Sequence, residues 1–285
     1  MRLVTVLLAC ACLAAGCGSG AKPPARTATR TTVVKTTAAK PPRPHHRIVP
    51  RLVMPADLVP RSVPVPILTY HRVAHYAQEQ VKSQPDETVE PETFFAQLRA
   101  LKEAGFHTIT QAQLFHALVN GRRLPSKPVM ITVDDGYVDD ALRILPALRY
   151  FHDVATFYVI TRRLGEGGFL SHDQVRKLDD AGMDVGAHTR HHVNLPGLPA
   201  AQLADEVAGS KRDLERILHH RVYWFAYPFG THDAAAEDAV QKAGFLVATT
   251  TQGGVPSSTT LMTEPRVHVG RAATPASVVA LAAAG

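Results

Sequence analysis

From Asp57 onward the chain repeats one pattern: a short, almost unbroken apolar run, then a stretch with helical spacing, then another apolar run. The runs cover 65–70, 128–133, 155–160, 183–187, 223–227, 245–249 and 266–269. Strands that are apolar throughout, instead of alternating with polar residues, are buried on both faces, which is the signature of parallel strands covered by helices. Between the runs, Phe94, Phe95, Leu98 and Leu101 recur at helical spacing ahead of Gly105, which suits a C-terminal cap. Leu114, Phe115 and Leu118 mark a second helix, and Leu142, Leu145 and Leu148 a third that Pro146 should kink or divide. Ser171 can cap a fourth ending near Gly182, where the run 179–182 reads as a helix end. Leu203, Val207, Leu214 and Ile217 give a fifth, and 234–243 followed by Gly244 a sixth. The pattern leaves an α/β fold, either a closed barrel or an open doubly wound sheet. In both, chemistry collects at the C-terminal ends of strands.

The first residues concern targeting and not fold. Arg2 supplies a positive start, 3–15 is apolar, and Ala14-Ala15-Gly16-Cys17 resembles a lipoprotein processing site. The apolar run is too short to span a bilayer. Residues 1–17 are therefore expected to be a lipoprotein signal with Cys17 as lipid acceptor, although Ala14 holds the place where such sites carry Leu, which leaves plain secretion as the variant outcome. Cys10, Cys12 and Cys17 are the chain's three cysteines, so no disulfide framework is available and the fold must rest on its own core.

Residues 18–61 are rich in Thr, Pro, Ala, Lys and Arg, lack periodicity, and read as a disordered stalk. The overall charge of +6 belongs to this stalk, because from Asp57 onward 22 basic residues face 25 acidic ones. A basic stalk fits anionic lipid or wall polymer, or serves as a solvated spacer. An export signal and the absence of a basic, aromatic stacking motif argue against nucleic acid. The remainder, 62–285, is long enough for one substantial domain.

Four strand ends carry the chemistry. Asp134, Asp135 and Gly136 follow 128–133; His188 and His192 follow 183–187; Pro228, Phe229 and Gly230 follow 223–227; His71 follows 65–70. Asp-Gly is a favoured hairpin turn, but the segment after Tyr137 is helical and not a returning strand. Two adjacent carboxylates at a buried strand end repel unless a cation or a shared proton relieves them. His188 and His192 stand at i and i+4, which a helical turn would bring to one face, while His191 leaves the register open. Two imidazoles and one carboxylate make a three-ligand site with positions left for water and substrate. The run 165–168 lacks phosphate-loop spacing and reads as a flexible loop. Tyr137, Trp224 and Tyr227 suit either sugar stacking or core packing.

Thr132 to Gly136, His188 to His192 and Ala226 to Gly230 resemble the first three motifs of the polysaccharide deacetylases with a NodB-type domain. Tyr70 to Val73 and 106–110 resemble the branch that contains the poly-N-acetylglucosamine deacetylases. The resemblance runs from about Pro64 to Gly254 and implies a distorted (β/α)7-type barrel and a divalent metal, zinc first, with Fe, Co, Ni or Mn admitted by the ligand types. It makes Asp134 the catalytic base, Asp135, His188 and His192 the metal ligands, His191 a bystander, and the Phe229 N–H an oxyanion donor in a turn shaped by Pro228 and Gly230. His71 is implied as general acid in preference to His268.

The chain departs from the family in three places. Ala226 stands where the third motif commonly has an Arg steadying the base, the fourth motif is not recognisable, and Arg266 to Val269 only partly echoes the fifth. The implied activity is metal-dependent de-N-acetylation of an N-acetylglucosamine-containing glycan, peptidoglycan or exopolysaccharide, outside the membrane by a monomeric chain. A non-catalytic glycan-binding lipoprotein and an O-acetyl (xylan) esterase are the alternatives.

Overall fold

The computed structural model describes residues 49–78 and 85–284. The expected signal, Cys17 and the stalk as far as residue 48 lie outside the described residues. Among the described residues, no helix is long and apolar enough to cross a membrane.

The strands are β1 (Ile67–Tyr70), β2 (Arg72–Val73), β3 (Thr88–Val89), β4 (His107–Ile109), β5 (Pro128–Asp135), β6 (Thr156–Val159), β7 (Asp184–Ala187), β8 (Trp224–Ala226), β9 (Val247–Thr249) and β10 (Val267–His268). All seven apolar runs are thus strands, joined by β4 and by the small pair β2 and β3. The main sheet runs β10-β1-β5-β6-β7-β8-β9, with β4 beside the start of β5, and every pairing in it is parallel. Its two edges are brought towards each other by 261–268. That segment bonds to β9 through Glu264 N–H to the Ala248 carbonyl (2.8 Å) and Thr250 N–H to the Glu264 carbonyl (2.9 Å), then pairs with β1 as β10. The curled, helix-covered sheet is the distorted barrel that the motif resemblance implies.

The helices are α1 (Pro91–Glu103), α2 (Gln111–Asn120), α3 (Leu145–Phe151), α4 (His172–Asp180), α5 (Ala200–Leu218), α6 (Ala234–Lys242) and α7 (Pro275–Ala283), the last lying beyond the six read from spacing. Thr110 and Ser171 each close a capping box, with Gln113 and Gln174. Pro146 does divide its helix: a π-turn at Asp140–Ile144 precedes α3, and Pro146 sits at the start of the new helix, where its missing N–H costs nothing.

Two cores follow from strand alternation. One face of the sheet, with Leu68, Val129, Ile131, Val133, Phe157 and Phe225, packs under α1 and α3 to α7. The inward face, with Ile67, Met130, Tyr158, Trp224 and Val247, packs on Leu114, Phe115 and Leu118 of α2, which closes the bottom of the barrel. Val49, Leu52, Met54 and Leu58 join this second core, the Leu52 N–H bonds the Tyr223 hydroxyl (3.2 Å), and Arg61 donates to carbonyls at the end of α2. Residues 49–61, which composition places in the stalk, therefore lie against the barrel: four apolar residues among prolines suffice to cover an exposed core edge.

Candidate metal and catalytic site

The inward positions of β5 are Met130, Thr132 and Asp134, so apolar packing gives way to polar groups toward the strand's C-terminal end. Gly186 on β7 leaves room for the Tyr158 ring inside the barrel, since a Cβ there would lie 2.6 Å from that ring. Above this level opens a cavity of about 380 Å³. Its walls bring together Asp134, Asp135, His188, His192, His71 and Phe229, so side chains from four strand ends meet in one place.

Asp135, His188 and His192 each offer a ligand atom, and these atoms all lie within 4.8 Å of one another. His188 Nε2 is 3.6 Å and His192 Nε2 3.5 Å from Asp135 Oδ1. His188 Nδ1 is engaged with the Ala226 carbonyl at 2.8 Å, which leaves Nε2 as the basic nitrogen on the Asp135 side, a common second-layer arrangement for a ligating histidine. The two imidazoles do not meet across a helical turn, as their spacing suggests. Residues 188–192 are irregular, with Thr189 and His192 in left-handed conformations (φ 60° and 58°), and the His192 N–H bonds the Thr189 hydroxyl. The loop does what the helix was expected to do. His191 turns away to Glu206 (2.7 Å), which makes it the bystander.

The donor set fits a divalent cation. Asp135 Oδ1 is buried without a hydrogen-bond partner, and burial, reinforced by Asp134, pushes the Asp135 carboxyl up to about 8. A bound cation reverses that kind of penalty. Burial keeps His188 neutral, down to about 3, and lowers His192 as well, so both nitrogens are available as ligands.

Asp134 behaves in the opposite way. Burial alone would raise its carboxyl, but Arg266, with His188 and His71 adding, holds it well below the usual carboxylate range. Arg266 forms a two-pronged pair with it, Nη1 to Oδ1 at 2.8 Å and Nη2 to Oδ2 at 2.7 Å. Two neighbouring carboxylates thus have their proton affinities driven apart, the arrangement that separates a base from a ligand. With Ala226 in the third motif, the guanidinium that pairs with Asp134 comes from the segment that closes the barrel. The sequence shows only a charged residue at the head of the apolar run 266–269, which does not say what its partner is.

His71 and His268 are not alternatives in space. Both line the cavity with ring centroids 5.4 Å apart, because Thr69 of β1 and His268 of β10 are in register. His71 Nδ1 is buried without a partner, and burial lowers its pKa against the pull of Asp134 and Glu87. His268 is partly exposed and contacts Asp86 (3.3 Å). Asp86 and Glu87 also line the cavity and carry no signal in the sequence, where 85–87 looks like an ordinary polar turn. Pro228, Phe229 and Gly230 form a tight turn with Phe229 left-handed (φ 59°). Gly230 is required there, since a Cβ would lie 2.1 Å from the Thr251 hydroxyl. Trp224 and Tyr227 are buried and Tyr137 nearly so, stacked on Phe169, which removes all three as exposed sugar platforms.

A curled parallel sheet thus brings an arginine-paired carboxylate beside a two-histidine, one-carboxylate cluster that could hold a metal ion. Residues 121–248 match the polysaccharide deacetylase family. YxkH of Bacillus subtilis (strain 168), a polysaccharide deacetylase by name, is 28% identical over 193 residues, covering 68% of this chain and 66% of its own length. A polysaccharide deacetylase from Bacillus cereus superposes with a TM-score of 0.67 at 28% identity, over 76% of this chain and 68% of that one. The Streptococcus pyogenes deacetylase PplD, solved with acetate, shares the fold with a TM-score of 0.72 at 24% identity, over 78% of this chain and 99% of that one. The chain is thus similar in sequence to polysaccharide deacetylases over part of its length and shares their fold.

Proposed function

We propose that this protein is a metal-dependent hydrolase that removes N-acetyl groups from an N-acetylglucosamine-containing polysaccharide at the cell surface, held there through Cys17. The observation that carries the reading is Asp134, ionised and fixed by Arg266, beside the Asp135, His188 and His192 cluster in one cavity. A pure binding protein has no use for a buried base kept ionised at such cost. Arg266 bears on one of the two features behind a non-catalytic reading, the missing Arg of the third motif, and leaves the other, the unrecognisable fourth motif, as it was.

A divalent cation held by Asp135, His188 and His192, with zinc the first choice for these donors, supplies Lewis acidity at the acetamide carbonyl and lowers the pKa of water towards ~7. Asp134 takes the proton of the attacking water, and its two bonds to Arg266 keep the carboxylate in one rotamer while it does so. The Phe229 N–H donates to the oxygen on which negative charge develops. His71 protonates the leaving amine. Burial lowers the pKa of this imidazole, so it is neutral at rest; it takes up the proton that Asp134 received from the water and gives it to the amine nitrogen as the C–N bond breaks, which returns Asp134 to its carboxylate. The products are acetate and a free amino sugar.

The test is acetate release from N-acetylated chito-oligosaccharides and from peptidoglycan by the purified protein, with and without a chelator. Chelator-sensitive release with new free amines supports the reading. Binding without release, in zinc-loaded protein, sinks it.

A further inference from the structure

The geometry points to the side chain of Phe229 as a carbohydrate-binding platform: its ring is the surface on which a pyranose of the glycan stacks while the acetamide reaches into the cavity. This rests on the amino-sugar polymer reading above and adds the contact that would hold the sugar ring.

Phe229 is 60% exposed, and among the described residues it and Tyr150 are the exposed aromatics. Tyr150 packs against Phe95 and Phe151, away from the cavity, whereas Phe229 lines it. Two unfavourable features coincide at this one position. A large apolar ring is left in water, and its backbone is held left-handed (φ 59°, ψ 7°), where a glycine or asparagine would be at ease. Backbone strain of this kind persists where surrounding structure enforces it, and it clusters at ligand sites. Here the enforcement is Pro228 before and Gly230 after, the latter pressed on Thr251.

The ring stands 4.7 Å from the His192 ring, at the mouth of the cavity that holds the base and the ligand cluster. A flat apolar face at that distance from the reacting groups matches the C–H face of a pyranose, with the acetamido group projecting from the sugar's edge. The other aromatics near the site, Tyr137, Trp224 and Tyr227, have no such free face.

Metal-free protein separates this role from catalysis. Tetra-N-acetylchitotetraose is titrated by heteronuclear NMR into chelator-treated wild type, Phe229→Leu and Phe229→Trp, and zinc affinity is measured in parallel. Leucine keeps an apolar contact with His192 but loses the flat face. The expected result is binding weakened about fivefold or more in Phe229→Leu, binding at least as tight as wild type in Phe229→Trp, and zinc affinity within about twofold in both. Unweakened binding by Phe229→Leu, or a wild type that does not bind the tetrasaccharide, overturns the proposal. So does Phe229→Leu losing zinc affinity with glycan binding intact, since the ring would then only steady His192. If Phe229→Leu fails to fold, Phe229→Trp decides alone: binding as tight or tighter supports the platform, and weakened binding overturns it. Ring-dependent binding without acetate release from zinc-loaded wild type leaves the platform standing and sinks the hydrolase reading instead.

Discussion

Arg266 and Asp134 lie 132 positions apart in sequence, yet they form a two-pronged ion pair at 2.7 and 2.8 Å with both side chains almost entirely buried, at 1% and 3% exposure. Arg266 is itself anchored, Nε to the Thr250 carbonyl at 2.9 Å and Nη1 to the Thr132 hydroxyl at 3.2 Å, and its guanidinium lies over the Tyr158 ring. The pair therefore joins Asp134 of strand β5 to the segment that closes the barrel, so docking of that segment also fixes the Asp134 carboxylate.

Breaking this pair should cost both stability and turnover. Arg266→Met leaves a buried carboxylate without its counter-charge, for which about 3–5 kcal/mol of destabilisation is the ordinary consequence. Arg266→Lys keeps the charge but loses the fork, so its stability should fall less while kcat drops at least ~100-fold through misplacement of Asp134. Urea unfolding of metal-free protein, set beside acetate release, checks both. Wild-type turnover in Arg266→Lys would show that the fork is not what orients the base.

Base and ligand should separate cleanly by substitution. Asp134→Asn is expected to retain bound zinc and lose turnover, whereas His188→Ala should lose both, because His188 offers Nε2 to the cluster while Asp134 is turned to Arg266. Elemental analysis alongside acetate release decides it. A fully active Asp134→Asn protein refutes the assignment of the base.

Much of this arrangement is legible in the sequence because buried parallel strands must be apolar, so a polar residue directly after such a run stands out. Asp134, His188 and His71 are visible on that ground, whereas Phe229 is picked out by the motif resemblance. Other features leave no such mark. Arg266 lies just ahead of β10, and pairing across a closing barrel leaves no local spacing that names its partner. The 188–192 loop meets the geometry of a helical turn through left-handed Thr189 and His192, a conformation that non-glycine residues seldom signal in advance. Asp86 and Glu87 reach the cavity only through the path of the chain after β2. The packing of 49–61 escapes composition for a related reason, since covering a core edge takes few apolar residues and no periodicity.

His71 and His268 can be told apart by their dependence on position. His71 follows β1 directly and is held near Asp134, whereas His268 leans on Asp86 at the cavity rim. His71→Asn should therefore lower kcat by about 10²–10⁴, the usual range for loss of a general acid, and His268→Asn by less than about tenfold. Initial rates of acetate release measure the difference. A larger loss in His268→Asn than in His71→Asn would reverse the two roles.

Glu264 should make stability fall with rising pH. Its side chain is buried in the closing segment, where Oε1 accepts from Gln111 Nε2 at 3.1 Å and Oε2 has no hydrogen-bond partner. Burial raises its carboxyl from 4.5 to about 8, against the opposing pull of the Gln111 bond and Arg266. The folded state thus holds a proton that the unfolded state releases. The contribution of this group is therefore fully present below pH ~4.5, and between there and about 8 it is lost with a slope approaching 1.4 kcal/mol per pH unit, added to whatever other groups contribute. Glu264→Gln keeps an oxygen for Gln111 and cannot ionise, so its stability should fall less steeply with pH than that of wild type and exceed it at pH 8. Urea midpoints of metal-free wild type and variant, at steps of about one pH unit from roughly 5 to 8, test this. Parallel curves for the two proteins would mean that Glu264 is already ionised in the fold, and that Arg266 is shared between two carboxylates instead of committed to Asp134.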